Sequence, residues 1–274
     1  MKSLLLVCAL ACICANADAQ AVPASSQAPP PASSSAARAT RPEPPPPDLA
    51  TLQKKLMDFP QLATYRDRNA QLGPPAAGEK RVVFFGDSIT EGWARSWNQF
   101  FAGKPYIDRG ISAQTTEQMV LRFHQDVIGL HPAVVVILAG INDVQGALQR
   151  ETDEGIEANW EAMADMADAH GIKVVFASIL PVNNYTDNAR DMLANRDPRR
   201  IRALNDWLRE FCQRRGFQYA DYYQVSVNGA GLLRADLTRD GLHPLPEGYR
   251  LMAPVAQAAI DRALDKHGPH AVRR

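Results

Sequence analysis

The chain is predicted to be an α/β protein with a parallel sheet, because apolar strand-like segments alternate with helix-like segments from Arg81 onward. Two of them, Ala133–Ala139 and Lys173–Leu180, are apolar without alternation, as is typical of strands covered on both faces. Strands separated by helices favour parallel pairing with right-handed crossovers. The predicted strands are Arg81–Phe85, Tyr106–Gly110, Ala133–Ala139, Lys173–Leu180 and Phe217–Asp221.

Longer segments between and after these strands are predicted to be helices. Asp197 and Pro198 provide a cap and a proline at the first helical position, and Gly216 ends the same helix. Pro246 and Glu247 open the last helix in the same way. The predicted helices are Thr116–Ile128, Ile156–His170, Pro198–Arg215 and Glu247–Lys266.

The composition is that of a neutral protein with room for one sizeable domain and extra segments. The chain has 274 residues, with 30 Lys and Arg against 30 Asp and Glu. No basic surplus indicates a nucleic-acid partner, and no polybasic tract indicates an anionic membrane surface. No His/Cys/Asp cluster has metal-ligand spacing, and Gly140-Ile141-Asn142 lacks the glycines of a dinucleotide fingerprint.

Residues 1–19 are predicted to be a secretory signal, which makes the protein secreted or periplasmic. Lys2 precedes a core rich in Leu, Val, Ala and Cys, and Ala17-Asp18-Ala19 is a plausible cleavage site. The core is too short for a stop-transfer helix, so no integral membrane segment is expected after signal removal. Removal leaves Cys212 as the one cysteine, predicted to be a small core residue, and the fold must be held by its core rather than by a disulfide.

The rest of the chain divides by composition. Residues 20–48 are rich in Pro, Ala and Ser and are predicted to be a disordered tether, with a plain spacer as the favoured role. Residues 49–80 are predicted to be an N-terminal helical extension, interrupted at Pro60. The main domain is predicted to span residues 81–266, followed by a tail of residues 267–274.

A serine stands where an open α/β sheet binds its ligands. Val82-Val83-Phe84-Phe85 ends at Gly86, and Ser88 follows, so its hydroxyl is expected at the carboxyl end of a strand. Serine is a poor nucleophile until a base takes its proton. Of the six histidines, His243 is the one that follows an aspartate, Asp240, by three residues in a Gly/Pro-rich turn.

In a loop, this spacing allows the Asp240 carboxylate to fold back to the imidazole Nδ1–H, fixing its tautomer. Taken alone, Asp-x-x-His is equally compatible with a turn aspartate and a surface histidine. Asn142 also follows an apolar run, so it is either a turn residue or a donor to an oxyanion. Together with Ser88 and His243, at the ends of neighbouring parallel strands, the donor interpretation is favoured. The three sites together indicate acyl transfer.

These residues resemble the SGNH hydrolases, also called GDSL esterases and lipases. The matching blocks are Gly86-Asp87-Ser88-Ile89, Gly140-Ile141-Asn142-Asp143 and Asp240-Gly241-Leu242-His243-Pro244, and the resemblance extends from about Arg81 to about Ala263. It implies a flavodoxin-like three-layer α/β/α sandwich with a central five-stranded parallel sheet and no cofactor. It also implies Ser88 as nucleophile, His243 as base and acid, and Asp240 as the orienting carboxylate.

The second block departs from the family pattern. Ala113 stands where the family's oxyanion glycine is usual, and Gly110 lies three residues earlier. Alanine keeps the backbone N–H donor provided that the backbone there does not need positive φ, which a Cβ penalises. The expected oxyanion hole is therefore Ser88 N–H, Ala113 N–H and the Asn142 amide, and Gly110 is expected to have a packing or turn role.

The sequence thus predicts a secreted serine ester hydrolase that acts on short-chain acyl or acetyl esters, including those of polysaccharides, through an acyl-enzyme. Two alternatives stay open: a lysophospholipase- or thioesterase-type lipid acylhydrolase, and a catalytically silent carbohydrate-binding module. The loop Pro181–Asp197 is expected to wall the pocket, with Asn183, Asn184 and Tyr185 suited to sugar hydroxyls. Thr90, Trp93 and Val144 flank the motifs and are equally compatible with pocket, core or cap positions.

Overall fold

A five-stranded, all-parallel sheet lies at the centre of the fold, as predicted. The computed structural model describes residues 48–148 and 151–265, so the predicted signal, nearly all of the tether and the tail lie outside the described residues. The strand order is β2-β1-β3-β4-β5. This is a doubly wound order, in which β2 is added on one side of β1 and the later strands are added on the other side. The strands are β1 (Val82–Gly86), β2 (Tyr106–Gly110), β3 (Val134–Leu138), β4 (Lys173–Ala177) and β5 (Gln218–Ala220).

Helices cover both faces of the sheet. Eleven α-helices lie in the described part of the chain: α1 (Leu49–Met57), α2 (Arg66–Leu72), α3 (Ser88–Glu91), α4 (Trp97–Phe101), α5 (Thr116–Asp126), α6 (Ile141–Gln145), α7 (Asp153–Ala169), α8 (Met192–Asn195), α9 (Pro198–Arg215), α10 (Tyr222–Ser226) and α11 (Pro246–Asp265). Short 3₁₀ turns occupy Gly92–Arg95, Ile128–Leu130, Asp187–Ala189 and Ala235–Leu237. None of the described helices is long and apolar enough to cross a membrane.

Consecutive residues of β1 show how the three layers form, because their side chains point to opposite faces. Phe85 contacts Phe123 of α5, with ring centroids 5.4 Å apart. Phe84 contacts Trp93 on the other face, and Trp93 in turn packs on Tyr249 of α11. Both β1 phenylalanines are buried, so β1 is covered on both sides. This confirms the predicted three-layer α/β/α arrangement.

Element ends differ from the prediction where side chains replace regular backbone pairing. β4 ends at Ala177, although the apolar run continues to Leu180. The reason is Asn205 of α9, whose amide accepts from Ile179 N at 2.8 Å and donates to Ile179 O at 2.8 Å. Ile179 and Leu180 are therefore buried but lie outside the strand pairing of the sheet.

The predicted helix ends are confirmed for α9 and shifted for the helix before β4. Asp197 accepts from Arg199 N at 2.8 Å, and Gly216 has φ of +71°, so both predicted ends of α9 are confirmed. The helix predicted from Ile156 begins earlier, at Asp153, because Thr152 caps it by accepting from Gly155 N at 3.0 Å. Cys212 is buried, and burial raises the pKa of its thiol to about 12, as suits a core residue.

The N-terminal segment packs beside the sheet's β2 edge. α1 ends at Met57, before Pro60, where the sequence predicts an interruption. Asp58 then organises a turn, because its carboxylate accepts from Leu62 N at 2.7 Å and from Ala63 N at 3.0 Å. This turn joins α1 to α2 and lies next to the loop that carries Ala113.

Candidate active site

Ser88 is held at the carboxyl end of β1 by close packing around the preceding glycine. A Cβ at Gly86 would lie 2.1 Å from Thr90 Oγ1 and 2.6 Å from Leu138 O, so this position has no room for a side chain. Asp87 caps α3 by accepting from Ile89 N at 2.9 Å. Burial raises the pKa of Asp87 to about 6. Ser88 is therefore the first residue of a helix that begins at the sheet edge.

Ser88, His243 and Asp240 form one hydrogen-bonded chain. Ser88 Oγ lies 3.0 Å from His243 Nε2, and His243 Nδ1 lies 2.7 Å from Asp240 Oδ2. The turn between Asp240 and His243 needs a glycine, because Gly241 has φ of +81° and a Cβ there would lie 2.2 Å from Asn183 O. The local spacing and the long-range approach predicted for these three residues are thus both present.

Asp240 is arranged to stay ionised. Its Oδ1 accepts from His243 N at 2.8 Å, from Leu242 N at 3.0 Å and from Thr238 Oγ1 at 3.1 Å. Burial raises the pKa of the Asp240 carboxyl, but the hydrogen bonds from the His243 ring and from these backbone N–H groups outweigh burial and lower the pKa to about 2. An ionised Asp240 accepts the Nδ1–H of His243, which leaves Nε2 free to accept from Ser88.

Asn142, on α6, and Ala113, on the loop after β2, lie at the same sheet edge. Asn142 is buried on α6, and its Nδ2 donates to Gln114 O at 2.9 Å, which ties it to the residue after Ala113. Ala113 is exposed and has φ of +64°. The backbone at Ala113 therefore does adopt positive φ, which is the conformation that a Cβ penalises. Alanine keeps the N–H donor here, but its Cβ lies in the left-handed region that favours glycine.

Gly110 has a different role from the family's oxyanion glycine. A Cβ at Gly110 would lie 2.0 Å from Glu91 N and 2.6 Å from Glu91 Cα. The position is therefore needed for close approach of β2 to α3, which is the packing role predicted for it. Glu91 also accepts from Ser112 N at 3.0 Å and from the Ser112 hydroxyl, so α3 holds the loop on both sides of this contact.

A matched pair of substitutions tests the oxyanion assignment. Asn142→Ala is expected to lower kcat by roughly 10²–10³ with little change in KM, because a bond to an oxyanion strengthens in the transition state. Ala113→Gly is expected to leave kcat nearly unchanged, because the N–H remains. Relief of the left-handed strain at Ala113, about 1–2 kcal/mol, is partly offset by the added chain entropy of glycine. Steady-state kinetics measure kcat and KM of the two variants, and thermal melts measure the change in stability. A large loss of kcat in Ala113→Gly would mean that the methyl group restrains the loop.

Sequence reasoning missed a buried arginine that fastens this edge of the sheet. Arg122 of α5 is fully buried, and its guanidinium lies 4.0 Å from the Phe85 ring centroid. It donates to Gly86 O at 2.9 Å and to Arg109 O at 2.9 Å, and it also donates to the Gln114 side chain. Burial lowers the pKa of Arg122 to about 10, so it remains a cation. One side chain thus connects the ends of β1 and β2 to the Ala113 loop.

A second missed contact joins α6 to α5. Asp143, next to Asn142, accepts from Thr116 N at 3.0 Å and from Thr116 Oγ1 at 2.6 Å. It is buried, and burial raises its pKa. The one signal in the sequence was its place in the Gly-Ile-Asn-Asp block. The contact fixes Asn142 relative to the start of α5.

The flanking and loop residues have mainly structural positions. Thr90, Trp93 and Val144 are buried at 2%, 1% and 3% exposure, so they belong to the packed interior rather than to an open pocket wall. Asn183 is also buried, and its Nδ2 donates to Leu233 O at 2.9 Å, so it is not available to a sugar hydroxyl. Tyr185 is 49% exposed, with its hydroxyl bonded to Asn228 Nδ2 at 2.9 Å.

Asp108 gives the region a pH-dependent stability. Its Oδ1 accepts from Gly110 N at 2.7 Å, whereas the buried Oδ2 has no hydrogen-bond partner among the described residues. Burial raises the pKa of Asp108 to about 7. The folded state therefore holds a proton that the unfolded chain releases between about pH 4 and 7, so stability falls as pH rises through that window.

Asp108→Asn is expected to melt at nearly the same temperature as the wild type at pH 4.5 and higher at pH 8, by roughly 2–8 °C. The amide keeps the bond to Gly110 N and removes the buried charge. Melting temperatures across this pH range measure the effect. Asp67→Asn, on the exposed surface of α2, is the control and is expected to show no such divergence. A difference that is the same at both pH values would contradict the role given to the Asp108 charge.

Within residues 48–148 and 151–265, no group of three or more His, Cys, Asp or Glu side chains is arranged to hold a metal ion. The site consists of side chains and backbone N–H groups at the carboxyl ends of β1, β2 and β3, together with the Asp240–His243 loop, which lies between β5 and α11. This is the edge at which doubly wound sheets place their ligands.

Comparison with known proteins gives a consistent result. The model of the GDSL-like lipase/acylhydrolase family matches residues 84–251. A GDSL-like lipase from Bacteroides thetaiotaomicron VPI-5482 is 40% identical, with a TM-score of 0.70, over 75% of this chain and 99% of that one. A candidate acylhydrolase from Bacteroides fragilis NCTC 9343 is 37% identical, with a TM-score of 0.70, over 75% and 98%.

A curated relative is more distant. The uncharacterized lipoprotein YqeF of Bacillus subtilis strain 168 is 28% identical over 127 residues, which cover 40% of this chain. The match spans 52% of that relative, so the chain covers about half of its length.

Proposed function

Because the chain belongs to the GDSL-like lipase/acylhydrolase family, we propose that it is a secreted serine ester hydrolase with Ser88 as its nucleophile. The observation that carries this proposal is the continuous chain from Asp240 through His243 to Ser88, with distances of 2.7 and 3.0 Å. Both contacts have the length needed for proton transfer and for orientation of a base.

The proposed reaction proceeds through an acyl-enzyme. His243 Nε2 takes the Ser88 proton as Oγ attacks the ester carbonyl, and Asp240 stabilises the imidazolium that forms. His243 then gives the proton to the departing alcohol, leaving the acyl group on Ser88. Water attacks this ester by the same route, with His243 again as the base, and the acid is released.

The oxyanion of each tetrahedral intermediate is proposed to be bound by Ser88 N–H, Ala113 N–H and the Asn142 amide. Asn142 Nδ2 carries two hydrogens, of which the bond to Gln114 O uses one, so one remains for the substrate. The fixed loop around Ala113, held by Arg122 through Gln114, favours donors that do not have to reorganise during the reaction.

The proposed substrates are short-chain acyl or acetyl esters, with acetylated carbohydrates as one class. A lipid acylhydrolase is the alternative within enzymes, and a silent carbohydrate-binding module is the alternative outside them. The complete hydrogen-bonded chain of Ser88, His243 and Asp240 favours an enzyme over a silent module. Secretion or periplasmic location is proposed from residues 1–19, with a lipoprotein relative as weak support.

Hydrolysis of nitrophenyl esters of increasing acyl length tests this proposal. kcat/KM is expected to peak between acetyl and butyryl and to fall by octanoyl, because a site open to water realises only part of the ~0.8 kcal/mol available per buried methylene and leaves a longer chain exposed. A stoichiometric burst of nitrophenol is expected if the acyl-enzyme accumulates. A maximum at decanoyl or longer would move the assignment to lipid esters, and absence of hydrolysis with every ester would favour the silent module.

A further inference from the structure

A cleft of about 680 Å³ opens beside the Ala113 loop. One wall is the N-terminal turn 58–64, with Phe59 and Ala63 among its lining residues. Ala113, Ala147 and Leu148, which come from other segments of the chain, also line the cleft. Since Ala113 N–H is one of the proposed oxyanion donors, the cleft adjoins the place proposed for the substrate carbonyl.

Of the polar side chains that line the cleft, Asp58, Ser112 and Gln118 are engaged in hydrogen bonds within the described part of the protein, whereas Gln61 and Thr64 are not. Both carboxylate oxygens of Asp58 accept backbone N–H groups of its own turn. Gln118 Nε2 donates to Phe59 O at 2.7 Å, and its Oε1 accepts from Thr115 N at 3.2 Å. The Ser112 hydroxyl is bonded to Glu91. Gln61 and Thr64 are thus the two side chains left to hydrogen-bond a ligand, so the cleft is better suited to a largely apolar group than to a sugar, which needs many donors and acceptors.

Apolar side chains supply the remaining surface. Leu148 is 47% exposed, and Phe59 is partly buried, so both present apolar area to the cleft. Ala63 and Ala147 are exposed small residues that leave space between them. An acyl chain lying here would remove apolar surface from water without leaving any of the engaged polar groups unpaired.

The position of the cleft selects the acyl group over the alcohol. The departing alcohol must lie within hydrogen-bond reach of His243 Nε2, which protonates it. Ala113 on the oxyanion side lines the cleft, whereas His243, like Ser88 and Asn142, does not. A cleft that borders the oxyanion side and not the base is better placed for the substituent that remains on the carbonyl carbon than for the alcohol.

The wall formed by residues 58–64 is fastened to the elements that carry the site. Gln114 Nε2 donates to Pro60 O at 3.0 Å, and Gln125 Nε2 donates to Leu62 O at 2.8 Å. Just beyond the turn, the Tyr65 hydroxyl donates to Gly110 O. Gln114 also accepts from Arg122, so the same side chain links this wall to the buried arginine.

We propose that this cleft binds the acyl group of the ester, and that residues 58–64 thereby set the acyl-chain preference of the enzyme. The proposal rests on the proposed function, since it places the chain attached to the carbonyl carbon at Ser88. It makes the N-terminal segment, which lies before the first strand and outside the residues matched by the family model, part of the substrate site.

Substitutions that fill the cleft test the proposal. In the wild type, butyryl is expected to exceed acetyl in kcat/KM, with an upper limit of about fourfold per methylene. Ala63→Trp fills the cleft from the turn 58–64, and Leu148→Trp fills it from another lining segment. Each variant is expected to reduce the butyryl-to-acetyl ratio of kcat/KM to about 1 while acetyl turnover is kept. Ala77→Trp, an exposed alanine outside the cleft, is the control and is expected to keep the wild-type ratio.

The readouts separate failure of this proposal from failure of the proposed function. Folding is checked by thermal melts, and labelling by a fluorophosphonate reports an intact nucleophile in each variant. If the variants are folded and labelled but the butyryl-to-acetyl ratio is unchanged in both, the acyl group binds elsewhere. If instead a series of acetyl esters with different alcohols is discriminated differently by the two variants, the cleft holds the alcohol and the proposal is overturned. If the wild type is not labelled, the proposed function itself fails.

Discussion

Ser88→Ala is expected to lower kcat by a factor on the order of 10⁴–10⁶, the largest effect of any single substitution in this chain. Removal of the hydroxyl eliminates the proposed nucleophile, and a water molecule that attacks directly lacks the advantage of a fixed position. The fold is expected to stay intact, because the Ser88 hydroxyl is partly exposed and is bonded to His243 at the surface of the site.

Turnover of a nitrophenyl acetate, with the melting temperature as a check on folding, measures this effect. Ser96→Ala, a serine on the turn before α4, is the matched control and is expected to be fully active. Retention of more than a few per cent of wild-type kcat by Ser88→Ala would show that another group attacks the ester.

Asp240→Asn is expected to lower kcat by a factor on the order of 10⁴, as replacement of the orienting carboxylate does in serine proteases. The asparagine side chain is uncharged, and only its amide oxygen can accept the Nδ1–H. If its NH₂ group faces Nδ1, the ring proton is displaced to Nε2, which can then no longer accept from Ser88. The charge that stabilises the imidazolium is also lost.

Asp236→Asn is the control for this substitution, because Asp236 is the nearest other aspartate before His243 in the chain. Asp236 instead pairs with Arg234 at 2.6 Å and its side chain is 58% exposed. Asp236→Asn is therefore expected to leave kcat unchanged. Near wild-type activity in Asp240→Asn together with a large loss in Asp236→Asn would reverse the assignment.

The features that were predictable from sequence depend on local patterns. Apolar runs predict the strands, and the Asp-Gly-Leu-His turn places Asp240 next to His243 because only three residues separate them. The predicted end of β4 was wrong because the side chain of Asn205, on a helix distant in sequence, forms hydrogen bonds with the backbone of Ile179. No local pattern reveals an amide that comes from another element.

The same distinction applies within the site. Ser88 and Asn142 follow strands, so their common edge follows from parallel pairing. Arg122 has the appearance of an ordinary helical arginine, and its burial follows only from the approach of β1, β2 and the Ala113 loop. The Asn183 side chain, expected to suit a sugar hydroxyl, is instead bonded inside, and a cleft that the sequence did not predict borders the N-terminal turn. Packing between segments distant in sequence decides both outcomes.

Covalent labelling tests the central claim, that Ser88 is a nucleophile activated by His243 and Asp240, most directly. The intact mass of the protein after reaction with a fluorophosphonate, followed by peptide mapping, identifies the modified residue and the stoichiometry. One phosphonyl group per chain on Ser88, slower labelling in Asp240→Asn and none in Ser88→Ala are predicted. Absence of label from the folded wild type, or a label on a residue other than Ser88, would contradict the claim.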